Sequence, residues 1–205
     1  HAGFACWRRG VGIDRQRTTV ISPVQTTLAS TWLGAFLVVC TLLGGCSDAP
    51  EGIAAVDDFD VQRYLGNWYE IARLDHSFER GLEGVQANYS LRDDDGIRVA
   101  NSGISVATGE RSEAEGRAYF VDSATRGHLK VSFFGPFYGA YVVFELGPEY
   151  DYAFVAGNNR DYLWLLARTP NPPQSLKDRF VARSAELGFA SDDLIWVSHP
   201  RSAAN

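Results

Sequence analysis

The sequence has few or none of several residue types, and each shortage narrows what the chain can be. Its 205 residues include no methionine, three cysteines and four histidines. Without methionine, His1 is not expected to be a translation start, and we assign no function to residues 1–20. Three cysteines cannot build the dense disulfide framework of a small secreted scaffold. The net charge of −6 argues against a nucleic-acid partner, because phosphate contacts need a basic face.

Apolar residues, in contrast, are plentiful. Hydrophobic residues make up 45% of the chain and aromatic residues 13%, while charged residues make up only 21%. This composition excludes a disordered, solvated chain and supplies one core of ordinary size. The chain is too short for several independent domains.

The first 45 residues have the pattern of an export signal. Four arginines and one acid precede a stretch from Thr18 to Ser47 that carries no charge. The densest apolar run, Trp32–Leu43, is 12 residues long. A helix that crosses a bilayer needs about 20 apolar residues, so residues 1–45 are predicted to be a secretory leader. The alternative is a buried core helix, but Pro23 and its Thr/Ser-rich surroundings give that helix no amphipathic face.

The segment Leu43-Gly-Gly-Cys46 resembles the bacterial lipobox, in which the cysteine sulfur accepts a diacylglyceryl group. Stable anchoring requires at least two acyl chains, which such a cysteine carries. Ser47, rather than an aspartate, follows Cys46, so the resemblance implies sorting to the outer membrane, with the domain facing the periplasm. Residues 46–56 would then be an acylated tether. The alternative is that Cys46 is an ordinary small residue after a signal.

The rest of the chain is predicted to be all-β. Short segments rich in Val, Tyr, Phe, Trp and Ile alternate with Gly, Asp, Asn and Pro turns, which is typical of antiparallel strands. Eight such strands can close into an up-and-down barrel that leaves room for one small ligand. Residues 57–200 would form this domain and residues 201–205 a tail. The predicted strands are 66–74, 85–91, 97–106, 116–121, 129–134, 141–146, 152–156 and 162–168.

After the strands, the apolar residues no longer alternate but recur at helical spacing. Leu176, Phe180 and Leu187 recur at helical spacing after a Pro-rich break, and Gly188 is placed to end the helix. One amphipathic helix of this length is expected to pack on the outside of the barrel. Residues 194–197 would add a short ninth strand.

Three motifs in order resemble the lipocalin family. Gly66 and Trp68 supply a Gly-x-Trp motif, Asp151 and Tyr152 an Asp-Tyr motif before the seventh strand, and Arg168 the end of the eighth strand. The resemblance, strongest to the bacterial outer-membrane lipoproteins of the family, implies that the barrel is a ligand-binding calyx. It implies that Trp68 closes the floor of the barrel and that the Arg168 guanidinium stacks on the Trp68 ring. It also implies that the Asp-Tyr pair holds a turn.

The resemblance also implies which side chains line the calyx. Tyrosine and tryptophan offer apolar area with a polar tip, which suits an amphiphile whose chain goes deep and whose head stays at the mouth. The alternative is that these rings fill the barrel, as happens in small barrels. The implied lining residues are Tyr89, Asn101, Phe133, Tyr141 and Trp164.

The expected function is binding and transport of a fatty acid such as palmitate, or of a lysophospholipid, without turnover. The resemblance implies a role in membrane biogenesis or repair under envelope stress, and it suggests a homodimer. Arg73, Arg80 and Arg98 are candidate partners for a carboxylate at the mouth, although solvation at the surface is the simpler expectation for each. Two alternatives stay open: a lipid hydrolase or isomerase that uses the calyx as its active site, and a tetrapyrrole carrier.

No metal site or cofactor is predicted. His76, His128 and His199 are far apart in sequence with no cysteine or acid at ligand spacing. An isomerase of this fold would need a reactive cysteine inside the barrel, and residues 47–205 contain none. An inward histidine that could hold a haem is not expected either, and His128 is expected to be exposed.

Overall fold

A computed structural model describes residues 47–200. Residues 1–46 and 201–205 lie outside the described part, so the predicted leader, Cys46 and the predicted tail are not tested by it. The described residues form nine strands, two α-helices and one 3₁₀ turn at Ser191–Asp193. In chain order the elements are α1 Val61–Tyr64, β1 Gly66–Arg73, β2 Leu82–Leu91, β3 Ile97–Ser105, β4 Arg111–Phe120, β5 His128–Ser132, β6 Gly139–Leu146, β7 Tyr152–Ala156, β8 Leu163–Ala167, α2 Gln174–Glu186 and β9 Ile195–Trp196.

Eight of the strands close into a barrel. Consecutive strands pair antiparallel from β2 to β8, and β1 pairs with both ends of that series. Trp68 of β1 lies opposite Ala87 of β2, while Glu70 lies opposite Leu166 of β8. Closure leaves no free edge among the eight strands. The predicted antiparallel barrel is therefore confirmed, and β9 adds only a short pairing with the end of β1.

The helix α2 packs against the outside of the barrel, as predicted. Phe180 is fully buried, and its ring lies 4.9 Å from that of Phe154 on β7. The outward side chains Leu163 and Leu165 of β8 belong to the same apolar cluster. Gly188, with a φ of 78°, adopts the left-handed conformation that ends the helix, and its N–H donates to the Ala185 carbonyl.

Most strands differ from their predicted bounds by one to three residues, and two elements differ more. Strand β4 begins at Arg111 instead of Gly116. The prediction missed residues 111–115 because all five are exposed and show no hydrophobic alternation. Pairing with β3, in which Ile104 lies opposite Arg111, is what makes them a strand. The four-residue helix α1 was not predicted, since one turn is too short to show a helical period.

The antiparallel order gives the barrel two distinct ends. The loops β1–β2, β3–β4, β5–β6 and β7–β8 lie at one end, which we call the mouth, because strand direction reverses at every connection. The helix α1 and the start of β1 lie at the other end, which we call the floor. Neither α-helix of residues 47–200 has the length and apolar character needed to cross a membrane.

Candidate functional site

The inside of the barrel is lined by one apolar cluster that is separate from the cluster under α2. Side chains two apart on a strand share a face, so alternate residues of each strand point inward. Strands β2 to β8 contribute buried Val, Ile, Leu, Ala and aromatic side chains to this lining. The inward residues at the centre are Ala87, Tyr89, Ile97, Val99, Ala118, Leu129, Val143, Ala153, Val155 and Leu166.

The floor is closed by Trp68 and the groups around it. Its indole is fully buried, and its Nε1 donates a hydrogen bond of 2.7 Å to the Tyr64 carbonyl. The Arg168 guanidinium stacks on the outer side, 3.9 Å from the ring centre. Gly66 has a φ of 91°, and a Cβ there would lie 3.6 Å from the Arg168 guanidinium. These three motif residues therefore meet at the floor, where they seal the barrel.

The Asp-Tyr motif lies beside the floor rather than in it. The Asp151 carbonyl accepts a hydrogen bond from the Arg168 backbone N–H, and the Gly147 N–H donates to the Tyr152 carbonyl. Asp151 is exposed, whereas the Tyr152 ring is buried among residues packed against α2. Both residues thus hold the β6–β7 turn and do not line the interior.

Three tyrosine hydroxyls meet inside the barrel. The Tyr141 hydroxyl lies 2.7 Å from that of Tyr64 and 2.9 Å from that of Tyr89. Burial, which disfavours the charged phenolate, raises the pKa of all three groups above the ordinary value of a tyrosine. The three side chains therefore stay neutral and form a small polar layer above Trp68, whose ring lies 4.7 Å from that of Tyr64.

Several side chains of the interior are less completely buried than those beside Trp68. Phe133, Tyr141 and Trp164 pack on the interior cluster but are only half-buried. Asn101, directly opposite Ala87, is half-buried as well, and within the described residues its Oδ1 has no hydrogen-bond partner. Four of the predicted lining residues thus lie on inward faces of the barrel wall and are half-buried, whereas Tyr89 is buried.

A buried ionic cluster lies where β1 enters the mouth. Arg73 is 2% exposed, and its Nη1 donates to Glu70 Oε1 over 2.6 Å while its Nη2 donates to the Glu79 carbonyl. The Glu79 carboxylate lies 3.1 Å from His76 Nε2 and accepts a hydrogen bond from Trp164 Nε1. The β1–β2 loop is therefore folded over the mouth and held there by charged groups that water does not reach.

The two carboxyl groups of this cluster are shifted in opposite directions. Burial, together with repulsion from Glu79, raises the pKa of Glu70 well above its ordinary value despite the contact with Arg73. Burial acts on Glu79 too, but its hydrogen bonds with His76 and Trp164 outweigh this and lower its pKa. Glu70 is therefore the carboxyl of the pair that retains a proton more readily.

Several expectations about isolated charged residues were wrong. His128 is buried instead of exposed, since its Nε2 lies 2.8 Å from the Ser47 carbonyl of the N-terminal segment. His76 was not recognised as a neighbour of the interior, because it lies in a loop where alternation gives no direction. Arg73 is buried in the ionic cluster rather than solvated. The described residues contain no group of three metal-binding side chains.

Arg80 and Arg98, in contrast, are solvated at the surface, where each pairs with an acid. Arg80 pairs with Asp75, and Arg98 with Glu115.

Two pockets also lie on the outer surface. One of about 530 Å³ has polar and charged side chains of β1–β4, and one of about 360 Å³ lies beside the start of α2. Asn101 is among the residues that line the first pocket, and the second is lined by Tyr152, Pro172, Pro173 and Leu176 together with polar side chains.

Comparison with known proteins agrees with this geometry. A family model described as a lipocalin-like domain matches residues 59–199. The chain belongs to the lipocalin family. The lipocalin is 57% identical over 164 residues to the outer membrane lipoprotein Blc of Vibrio cholerae serotype O1, covering 79% of this chain and 96% of that protein. It is 51% identical over 170 residues to the outer membrane lipoprotein Blc of Escherichia coli K12, covering 82% and 93%.

More distant relatives share the fold. Apolipoprotein D of Rattus norvegicus is 34% identical to this lipocalin over 158 residues, covering 72% of this chain and 80% of that protein. The solved structure of insecticyanin from the tobacco hornworm Manduca sexta superimposes with a TM-score of 0.60 at 21% identity, covering 77% and 89%. These matches fit the closed barrel with one helix after it. The resemblance drawn from the three motifs is thus confirmed.

Proposed function

We propose that this lipocalin binds a single-chain amphiphile, a fatty acid or a lysophospholipid, in its barrel and carries it without chemical change. The observation that carries the proposal is that Phe133, Tyr141 and Trp164 belong to the apolar interior of a closed barrel and are only half-buried. Apolar walls would take the acyl chain, while the carboxamide of Asn101 and the groups at the mouth would meet a polar head.

The magnitude of apolar burial is sufficient for such a ligand. Burying one CH₂ group contributes about 0.8 kcal/mol, so a C16 chain could supply on the order of 10 kcal/mol before ordering costs. Micromolar affinity needs about 8 kcal/mol. The interior therefore does not need a strong ionic contact to hold an acyl chain. This fits the burial of Arg73, whose guanidinium already donates to Glu70 and to the Glu79 carbonyl.

We further propose that the protein acts at the outer membrane, held by acyl chains on Cys46 after removal of residues 1–45. The proposal is supported by the apolar leader and the Leu43-Gly-Gly-Cys46 segment. It is also supported by the relatives named outer membrane lipoprotein, which are 50–57% identical to this chain. A tether of this kind would let the barrel exchange lipids with a membrane that it does not cross. Membrane biogenesis or repair is the role we infer.

The test is to identify the lipid that travels with the protein. The full chain would be expressed in a Gram-negative host, extracted from membranes and transferred to amphipol, and its bound lipid then identified by native mass spectrometry. We expect one acyl lipid per barrel. The variant Val131→Trp, which fills the interior between strands β4 and β6, should lose most of it. Glu113→Trp, on the exposed outer face of β4, is the control and should keep it.

Two results would overturn the proposal. One is a wild-type barrel that contains no lipid and takes up neither palmitate nor lysophospholipid. The other is steady formation of a hydrolysed or isomerised product from added lysophospholipid, which would make the protein an enzyme. A visible tetrapyrrole absorbance in the purified protein would favour the pigment carrier instead.

A further inference from the structure

The three tyrosine hydroxyls inside the barrel have one proton more than they use among themselves. Tyr141 contacts Tyr64 over 2.7 Å and Tyr89 over 2.9 Å, and within residues 47–200 these hydroxyls have no other hydrogen-bond partner. Each hydroxyl donates one proton, so two contacts use two protons and the third proton has no acceptor in the layer. Tyr64 is 3% exposed and Tyr89 is 7% exposed. The layer therefore offers one buried hydrogen bond to a group from outside the chain.

The group that fits this donor is an oxygen that accepts a proton and brings few of its own. A single water molecule accepts one proton but adds two donors, which then need acceptors in the same apolar surroundings. A carboxyl group accepts the proton and adds at most one donor. Burial raises the pKa of Tyr64, Tyr89 and Tyr141, so all three are neutral and remain donors at neutral pH. The layer thus favours a carboxyl group over water.

Charged groups on both sides of the layer act on a carboxyl group placed there. On the floor side, the Arg168 guanidinium donates to three carbonyl groups and pairs with no carboxylate of the described residues. On the mouth side, Glu79 and Glu70 join burial in raising the pKa of Tyr89, while Arg168 lowers it. Arg73 donates to Glu70, and its buried Nε–H has no partner within residues 47–200. The two arginines favour a negative charge at the layer and the two glutamates oppose it, so a carboxyl group fits in either protonation state.

Other acids at the floor end lie on the outside of the barrel. Asp60, Glu149 and Asp151 are exposed, and Glu149 lies 3.8 Å from the Arg63 guanidinium. Water and salt screen exposed charges, whereas groups inside the barrel are screened much less. The charges that decide what binds at the layer are therefore those of Arg168 below it and of the buried ionic cluster above it.

We propose that Tyr64, Tyr89 and Tyr141 form a subsite for the carboxyl group of a free fatty acid, which enters the barrel carboxyl end first. The acyl chain then runs from this layer toward Trp164 and the β1–β2 loop, and its methyl end lies at the mouth. The inference rests on the lipid-binding function proposed above. A lysophospholipid with its phosphate head at the mouth has no oxygen at the far end of its chain, so the layer distinguishes the two classes of lipid.

The experiment locates the two ends of bound palmitate. Two photoreactive palmitate analogues, one with a diazirine at carbon 3 and one with a diazirine at carbon 15, would be added to the full chain in amphipol, prepared as above. After irradiation, tandem mass spectrometry identifies the cross-linked residues. Both analogues carry the same reactive group, so its preference for particular side chains cancels when the two patterns are compared.

We expect the carbon-3 analogue to cross-link several-fold more around the tyrosine layer than around Glu79 and Trp164, and the carbon-15 analogue to show the opposite ratio. The double variant Tyr89→Phe and Tyr141→Phe should bring both ratios close to one. Tyr150→Phe is the matched control, because Tyr150 is also 7% exposed but its hydroxyl accepts from the Asp60 N–H outside the layer. It should keep the wild-type ratios. Circular dichroism checks that each variant is folded, and the comparison in the wild type needs no variant.

The outcomes separate this inference from the proposed function. In the wild type, carbon 15 at the layer with carbon 3 at the mouth, or equal patterns for the two analogues, would overturn the inference and leave the lipid-carrier function intact. Wild-type ratios in a folded Tyr89→Phe/Tyr141→Phe variant would also overturn it, because the hydroxyls would not set the orientation. Cross-links from neither analogue inside the barrel would refute the binding of palmitate there, and the subsite with it.

Discussion

The Arg168 guanidinium and the Trp68 indole lie face to face, 3.9 Å apart, on the two sides of the barrel floor. Arg168 also donates to the carbonyl groups of Arg63, Asn67 and Tyr150, so one side chain ties the floor to α1 and to the β6–β7 turn. Burial lowers the pKa of its guanidinium without removing the charge at neutral pH. This contact joins residues 100 positions apart and seals one end of the small barrel.

The first prediction is that Arg168→Ala lowers the free energy of unfolding by about 3 kcal/mol, from the stacking contact and the hydrogen bonds of a charged donor. Urea denaturation measured by circular dichroism checks this. Arg111→Ala is the control, because its side chain is 60% exposed and pairs only at the surface. It should change stability by about 0.5 kcal/mol or less. Equal midpoints for the two variants would contradict a structural role for Arg168.

The second prediction concerns the tyrosine layer. Tyr141→Phe removes the hydroxyl that both Tyr64 and Tyr89 contact, and it leaves those two groups without their shared partner. We expect a loss of about 1–3 kcal/mol in the free energy of unfolding, because unpaired buried hydroxyls are costly. Tyr119→Phe, whose hydroxyl bonds Asp94 at the surface, should cost about 0.5 kcal/mol or less. A Tyr141→Phe variant as stable as wild type would show that the layer is satisfied by other groups.

The third prediction is a pH dependence that comes from Glu70. Its pKa in the folded protein is raised above the ordinary value of 4.5, so folding favours the protonated form. This contribution to stability is complete below pH 4.5 and is lost as the pH rises through the raised pKa. Glu79, whose pKa is lowered, loses its contribution only as the pH falls below 4.5, so the two windows are separate.

Glu70→Gln should therefore remove part of the decline in stability that the wild type shows between weakly acidic and weakly basic pH. The measurement is a series of urea denaturation curves across that range. Glu113→Gln, an exposed residue paired with Arg111, is the control and should leave the slope unchanged. A slope that is the same in Glu70→Gln and wild type would mean that Glu70 is ionised throughout.

The fourth prediction uses the natural tryptophans. Trp164 is half-buried in the interior and bonds Glu79, whereas Trp68 is sealed in the floor and Trp196 lies outside on β9. Titration with palmitate should change the intrinsic fluorescence of the wild type and of Trp196→Phe, and should change that of Trp164→Phe little. If the change survives in Trp164→Phe, the acyl chain does not reach the space beside Trp164.

Much of the architecture follows from local patterns that the sequence carries. Alternation in each strand separates inward from outward side chains: Trp164 and Leu166 of β8 pack on the interior cluster, while Leu163 and Leu165 belong to the cluster under the helix. These assignments need only a period of two, which any half-buried strand imposes. The polar first half of β4 escaped this reasoning, because a strand without a buried face has no period to detect.

The sequence by itself determined the number of strands, the outer helix and the residues of the floor, since each depends on short-range periodicity or on a compact motif. Only the tertiary structure decided that Glu70, Arg73, His76 and Glu79 form one buried cluster, and that His128 lies under the N-terminal segment. Those contacts depend on the pairing register of the strands and on how a loop folds back over the mouth. Both are set by the closing of the whole barrel, and no local stretch of residues encodes them.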